Sequence, residues 1–244
     1  PLVGAVVVKN GRMVAKGWHK KAGESHAEAI ALARAGTAAQ GATLYVTLEP
    51  GSHTNKRTPP CTPLVIQSGV KRVVIAMIDP NQKVAGGGIR AIRKTGIEVV
   101  NGVLESEAKL LNEAYIKYIT KGMPFVTLKI AQTLDGKIAT DSGESKWITG
   151  KEAREEGHRL RGTHDAVLVG INTVLKDDPS LTMRIAGGRD PLRVIVDTQL
   201  RTPLNAKVIT QKSSAKTYIA TLNRRPKEKF NKLLDAGAEI LISR

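Results

Sequence analysis

The chain has 244 residues, 41% of them hydrophobic, with a formal net charge of +16 and one cysteine, Cys61. That length suits two domains of about 100–150 residues each. No apolar run approaches the roughly 18 residues of a membrane helix. A lone cysteine excludes an internal disulfide and fits a reducing, cytoplasmic setting. Aromatic residues make up 3% of the chain, which argues against base-stacking nucleic-acid modules. The positive charge is thinly spread, apart from Lys227, Lys229 and Lys232. It suits a small anionic substrate as well as a plain solvated surface. Pro1 leads straight into a strand pattern with neither Met nor a signal peptide before it.

In chain order, Val6–Val8 and Met13–Ala15 flank Asn10-Gly11, the strongest short signal for a β-hairpin. Ser25–Ala35 has helical apolar spacing and ends at Gly36. Thr43–Leu48 reads as a strand, broken by Glu49-Pro50-Gly51, and residues 51–60 as a polar, basic loop. A short helix over Pro63–Ser68, a buried strand over Val70–Ile78 and a glycine-rich turn at Ala85–Gly88 follow. Next come a helix at Ile89–Lys94, a strand at Ile97–Val100 and a longer helix at Glu105–Ile119. This alternation describes a three-layer α/β domain over residues 1–121.

Gly122-Met123-Pro124 is a natural joint, after which the pattern restarts. Phe125–Ile130 reads as a strand, and Thr149–Leu160 as a helix with Thr149 and Glu152 forming a capping box. Strands at Val167–Val169, Val194–Val196, Tyr218–Ala220 and Ile240–Ile242 follow, with a helix at Lys227–Ala236 before the last of them. This is a second α/β domain, residues 124–244. Because the chain stops on a strand signal, that domain is expected to be incomplete, and truncation is expected at both ends of the chain.

His26-Ala27-Glu28 opens the first helix, and Cys61 opens the helix after the next strand. A zinc deaminase needs three protein ligands, one open position for water, and a carboxylate that shuttles protons without binding the metal. Alone, Ser25-x-x-Glu28 is also a capping box, which would make Glu28 structural. The order of hairpin, His-Ala-Glu helix, strand ending Thr-Leu-Glu-Pro and Pro-Pro-Cys helix start favours the site.

The motifs Gly17-Trp18-His19, His26-Ala27-Glu28, Thr47-Leu48-Glu49-Pro50, Ser52-His53-Thr54, Arg57-Thr58-Pro59-Pro60-Cys61 and Asp79-Pro80-Asn81 resemble the deaminase half of the bifunctional riboflavin-biosynthesis deaminase/reductases. The resemblance implies a cytidine-deaminase-like domain, with His26 and Cys61 as zinc ligands and Glu28 as proton shuttle. The family's remaining ligand cysteine belongs at position 51, where this chain has Gly51, in a loop that carries an extra residue near Asn55-Lys56. Glycine cannot ligate. Zinc is therefore expected to be weakly held or absent, and deamination impaired; the remaining nearby donors are Ser52 and His53, the latter a substrate contact in the family.

Residues 124–184 resemble the same family's reductase half, through Leu134-Asp135-Gly136-Lys137, Gly143-Glu144-Ser145-Lys146-Trp147-Ile148-Thr149, Asp177-Asp178-Pro179 and Leu181-Thr182. The resemblance implies a dihydrofolate-reductase-like fold and NADPH reduction of a phosphorylated substrate's ribosyl group. It places Ser145, Arg161, Leu181 and Arg184 against substrate, and Ala131, Trp147, Thr173 and Asp177 against NADP. Asp135 is left to a simple turn. The family completes its cofactor site with a glycine-rich stretch, whereas residues 200–244 contain only Gly237.

The leading reading is thus a riboflavin-pathway enzyme: deamination of a phosphoribosylamino-pyrimidine, then reduction, by a homo-oligomer with no nucleic-acid or membrane partner. The alternative is a reductase-only member whose first domain serves structure or dimerisation. A nucleic-acid binder, suggested by the charge, is the third.

Overall fold

Asn10 and Gly11 take φ values of 51° and 73°, the left-handed pair that a two-residue hairpin turn requires. They join β1 (Gly4–Lys9) to β2 (Arg12–Trp18) in antiparallel register. The computed structural model describes residues 1–53, 58–223 and 226–243. It divides into two units, Pro1–Thr127 and Leu128–Arg244.

In the first unit β1 also pairs antiparallel with β3 (Thr43–Leu48), which runs parallel to β4 (Arg72–Met77), and β4 runs parallel to β5 (Glu98–Asn101). The sheet order is β2-β1-β3-β4-β5. Helix α1 (Ala27–Ala35) lies on the hairpin, and Ala27 and Ala31 are fully buried with Val7, Leu44 and Ile75. The approach is close enough that a Cβ on Gly17 would fall 2.5 Å from the Ala27 carbonyl oxygen. Helices α2 (Cys61–Gln67) and α3 (Gly87–Arg93) complete the connections between the parallel strands. Val73, Val74 and Ile75 are all buried, so β4 is covered on both faces, as parallel strands require.

The helix expected over Glu105–Ile119 is instead two, α4 (Glu105–Leu111) and α5 (Glu113–Lys121). Asn112 separates them. It is buried, its amide donates to the Leu2 and Ala108 carbonyls, and its Oδ1 accepts the Leu2 N–H. A tie to a residue 110 positions earlier carries no local sequence signal.

In the second unit α6 (Lys151–Thr163) starts after Gly150, and no side chain caps it, so the Thr149–Glu152 capping box does not form. Strand β6 (Ala166–Gly170) leads directly into α7 (Ile171–Asp177), a helix not anticipated. Then come β7 (Leu192–Val196), the short α8 (Lys207–Thr210), β8 (Thr217–Leu222), α9 (Lys227–Asp235) and β9 (Glu239–Ser243). The four strands form an all-parallel sheet in sequence order. Ile195 and Ile219 pack with Val174, Val208 and Leu233 under α7, α8 and α9. Alternate residues of the opposite face, including Leu168, Val196, Leu222 and Leu241, remain exposed. Phe125–Ile130 is not a strand. Its alternating Val126, Leu128 and Ile130 are exposed, because among the described residues no neighbouring strand supplies the hydrogen bonds that would order it.

Candidate functional site

His26 is the N-cap residue of α1 and Cys61 is the first residue of α2. Two helix starts thereby bring an imidazole and a thiol together, with His26 Nδ1 at 3.1 Å from Cys61 Sγ. Glu28 joins them: one ligand atom from each of the three lies within 4.8 Å of the others, and Glu28 and Cys61 are buried. Ser25 does not cap the helix, and α1 has no side-chain cap at all. The capping-box account of Glu28 is thereby removed. The Thr58 hydroxyl oxygen sits 2.8 Å from His26 Nε2, where it can fix the ring's tautomer. The His19 ring meets His26 edge-on at 5.4 Å.

A catalytic zinc takes three protein ligands and keeps a fourth position open. Position 51 offers only backbone: the Gly51 carbonyl accepts the N–H and the hydroxyl of Thr62. His53 lies outside the cluster, and its Nδ1 is buried without a hydrogen-bond partner among the described residues. Residues 54–57, which include the extra residue near Asn55-Lys56, lie outside the described residues. Among the described residues the donors are therefore one imidazole, one thiol and the Glu28 carboxylate. Glu28 can complete a three-ligand set only by giving up its freedom to carry protons. The set does not fit a catalytic zinc with an independent base.

The loop bearing position 51 is held from behind. The Glu49 carboxylate is buried and accepts the N–H groups of Asp79, Gly86 and Ile89. Asp79 in turn accepts the Tyr115 hydroxyl at 2.8 Å. Burial, and secondarily the Asp79 charge, push the Tyr115 phenol well above its ordinary range. A Cβ on Gly88 would fall 2.1 Å from the Pro50 carbonyl oxygen, so the first turn of α3 is the surface on which the loop rests. Gly88→Ala is expected to cost about 2 kcal/mol of stability through overpacking against backbone. Urea unfolding of the two chains measures this; unchanged midpoints would show that the loop yields freely.

In the second unit Arg161 and His158 lie one turn apart on α6, with Arg161 Nη1 at 3.2 Å from His158 Nδ1. Arg184 faces them: burial and then the Arg184 charge pull the Arg161 guanidinium below its ordinary value. A cleft of about 490 Å³ is lined by Lys151, Arg154, Glu155, His158, Arg159, Arg184 and Ile185. His158 escaped the sequence reading, although its i, i−3 spacing from Arg161 on a helix was visible. Leu181 is buried in the core of the unit at φ 56°. Ser145 is half-buried. Of the residues expected at the cofactor, Thr173 and Asp177 lie one turn apart on α7. Trp147 is exposed beneath the Arg154 guanidinium, 4.5 Å from its ring centroid, and Ala131 is half-buried. The turn at Asp135 is present, with Gly136 donating to the Thr133 carbonyl.

Residues 1–77 match the model of the cytidine and deoxycytidylate deaminase zinc-binding region, and residues 124–242 that of the RibD C-terminal domain. The fold and these matches define a cytidine-deaminase-like domain followed by a reductase-type domain. The riboflavin biosynthesis protein RibD of Aquifex aeolicus is 53% identical over 243 residues, covering 99% of this chain and 67% of that protein. That of Actinobacillus pleuropneumoniae is 45% identical over 242 residues, covering 99% and 64%. Among solved structures, Acinetobacter baumannii RibD gives a TM-score of 0.86 at 42% identity, covering 99% of this chain and 67% of that one. The Thermotoga maritima diaminohydroxyphosphoribosylaminopyrimidine deaminase/5-amino-6-(5-phosphoribosylamino)uracil reductase gives 0.84 at 43%, covering 98% and 73%. The chain belongs to the RibD family of riboflavin biosynthesis proteins. It spans about two thirds of the length of the curated relatives named above. Among the described residues no helix is long and apolar enough to cross a membrane.

Proposed function

We propose that this chain serves riboflavin biosynthesis, with the domain over residues 124–244 reducing the ribosyl group of a phosphorylated pyrimidine and the domain over residues 1–121 carrying a deaminase site impaired by Gly51. The observation that carries the reading is the pairing of a His26–Glu28–Cys61 cluster on a deaminase sheet with a cleft on the second unit that Arg184 lines, Arg161 lying close enough to feel the Arg184 charge. We place the protein in the cytoplasm, as a homo-oligomer with no nucleic-acid or membrane partner.

For reduction, NADPH supplies the hydride when bound. The exposed Trp147 indole and the polar Thr173 and Asp177 on one turn of α7 suit a nucleotide's flat and hydroxylated parts, and Ala131 is assigned to the same cofactor. The remaining roles belong to positioning. Arg161 and Arg184 clamp the substrate phosphate with charge-assisted hydrogen bonds, while Ser145 and the Leu181 backbone orient the sugar. Deamination is expected to be weak, because among the described residues no donor at position 51 completes the ligand set. Gly51 also motivates the reading of a reductase whose first domain only serves structure or dimerisation, but residues 1–77 match the deaminase zinc-binding region.

Separate assays test the proposal. Supplied with the already deaminated substrate, the chain is expected to consume NADPH; supplied with its amino precursor, it is expected to consume far less. Equal rates on both would show an intact deaminase. No consumption on either would remove the reductase reading.

A further inference from the structure

Strands β6 and β7 run parallel, and open parallel sheets bind ligands beyond the carboxyl ends of their strands. At that end β6 leads into α7, with Asn172 and Thr173 in the helix's first turn. Strand β7 leads into a loop over residues 197–202 that is pinned on every side. The Asp197 carboxylate is buried, and its Oδ2 accepts the N–H and the hydroxyl of Thr202 at 2.8 and 2.7 Å. The Asp197 N–H donates to the Ala220 carbonyl, and the Thr198 carbonyl accepts the Thr221 hydroxyl. Leu200 turns at φ 56° and buries its side chain in the core of the unit. Arg201 stands between the buried Leu200 and Thr202 and is itself exposed. Its Nη2 donates to Asn172 Oδ1 at 3.0 Å.

That bond uses one of the guanidinium's N–H donors and leaves the others for a ligand. It also meets a neutral amide, so the charge of Arg201 is not compensated. Arg189, Lys207, Lys216 and Lys232 of the same unit each hold a carboxylate, whereas among the described residues Arg201 has none. Asn172 immediately precedes Thr173, and Asp177 lies one turn further along α7. The geometry points to Arg201 as the residue that recognises the 2′-phosphate of NADPH and so selects that cofactor over NADH. This rests on the reading of Thr173 and Asp177 as cofactor contacts. A phosphate monoester carries about two negative charges at neutral pH, and a planar guanidinium can meet two of its oxygens at once. The Asn172 contact holds the fork in place while it does so. NADH presents a neutral hydroxyl at the same point and leaves the guanidinium charge unmatched.

Calorimetric titration of the full chain with 2′,5′-ADP and with 5′-AMP isolates the 2′-phosphate without any turnover. The parent is expected to bind 2′,5′-ADP about 10- to 100-fold more tightly than 5′-AMP, the weight of charge-assisted hydrogen bonds. Arg201→Ala is expected to lose most of that ratio while binding 5′-AMP as the parent does, and its unliganded chain is expected to melt with the parent, as surface substitutions do. Arg201→Lys is expected to recover only part of the ratio, because it restores the charge without the fork. Arg184→Ala is expected to leave the ratio intact; its loss there would move the 2′-phosphate to the other cleft and overturn the assignment. Equal weakening of both ligands by Arg201→Ala would put Arg201 on the 5′-phosphate, and an unchanged ratio would make it a surface charge. Either result overturns the assignment and leaves the cofactor reading standing. Thr173→Val is expected to weaken both ligands. If it weakens neither, or if neither binds the parent, the cofactor reading falls and Arg201 falls with it.

Discussion

Gly51→Cys is expected to turn a chain that purifies with little zinc into one that holds a full equivalent. The existing donors are close to ready: His26 Nδ1 and Cys61 Sγ are 3.1 Å apart, and both sit at helix starts fixed by buried packing. Position 51 follows Pro50 directly, and its backbone is anchored by two hydrogen bonds from Thr62. Loss of a residue merely supporting a ligand lowers metal affinity about 10–100-fold, so gaining a thiolate ligand is expected to raise it by about 100-fold or more. With three ligands Glu28 is free to move protons, and deamination is expected to rise with zinc content. The double variant Gly51→Cys with Glu28→Gln separates the roles. It should keep its zinc while losing deamination by about 100- to 10,000-fold, the usual weight of general acid–base catalysis. Metal analysis with both activities measured decides the matter. A full equivalent of zinc and full deamination in the unaltered chain would refute the account of Gly51, and reduction should be untouched throughout.

The hairpin, the helix that starts beside His26 and Glu28, and the helix opened by Cys61 were legible because each rests on local chemistry. Asn10-Gly11 suits only a tight turn, and Gly36 ends α1 at φ 51°. What escaped depends on partners remote in sequence. The split at Asn112 comes from Leu2. Phe125–Ile130 has the alternation of a strand, but alternation states only which faces would differ. Pairing needs a neighbour, and the segment has none among the described residues. Helix α7 spans seven residues, too few for its period to stand out beside the preceding strand. At the site, Arg161 and Arg184 were read from motif order, whereas His158 lies in the same turn without a motif. Only the fold shows that its ring meets the Arg161 guanidinium.

Removing the Arg161 guanidinium is expected to move ligand affinity and stability in opposite directions. Arg161 and Arg184 lie close enough that the second lowers the first's pKa, with burial the larger cause. Held without an anion, the two repel, so the empty clamp is a strained arrangement of charge. Arg161→Ala relieves the repulsion, and the empty chain is expected to melt at the same temperature or slightly higher. The phosphorylated substrate loses a charged donor in a half-buried cleft. Hydrogen bonds to charged groups contribute about 1.5–3 kcal/mol each, so its affinity is expected to fall about 10- to 100-fold. Arg161→Lys is expected to recover only part, because a point charge cannot reproduce a planar fork that spans His158 and the phosphate together. Melting with and without substrate, alongside direct titration, separates the two effects. A structural arginine would show the reverse pattern, with a lower melting temperature in the empty chain and unchanged affinity in what remains folded. Arginine in a clamp is selected for the filled state, and the empty state bears the repulsion.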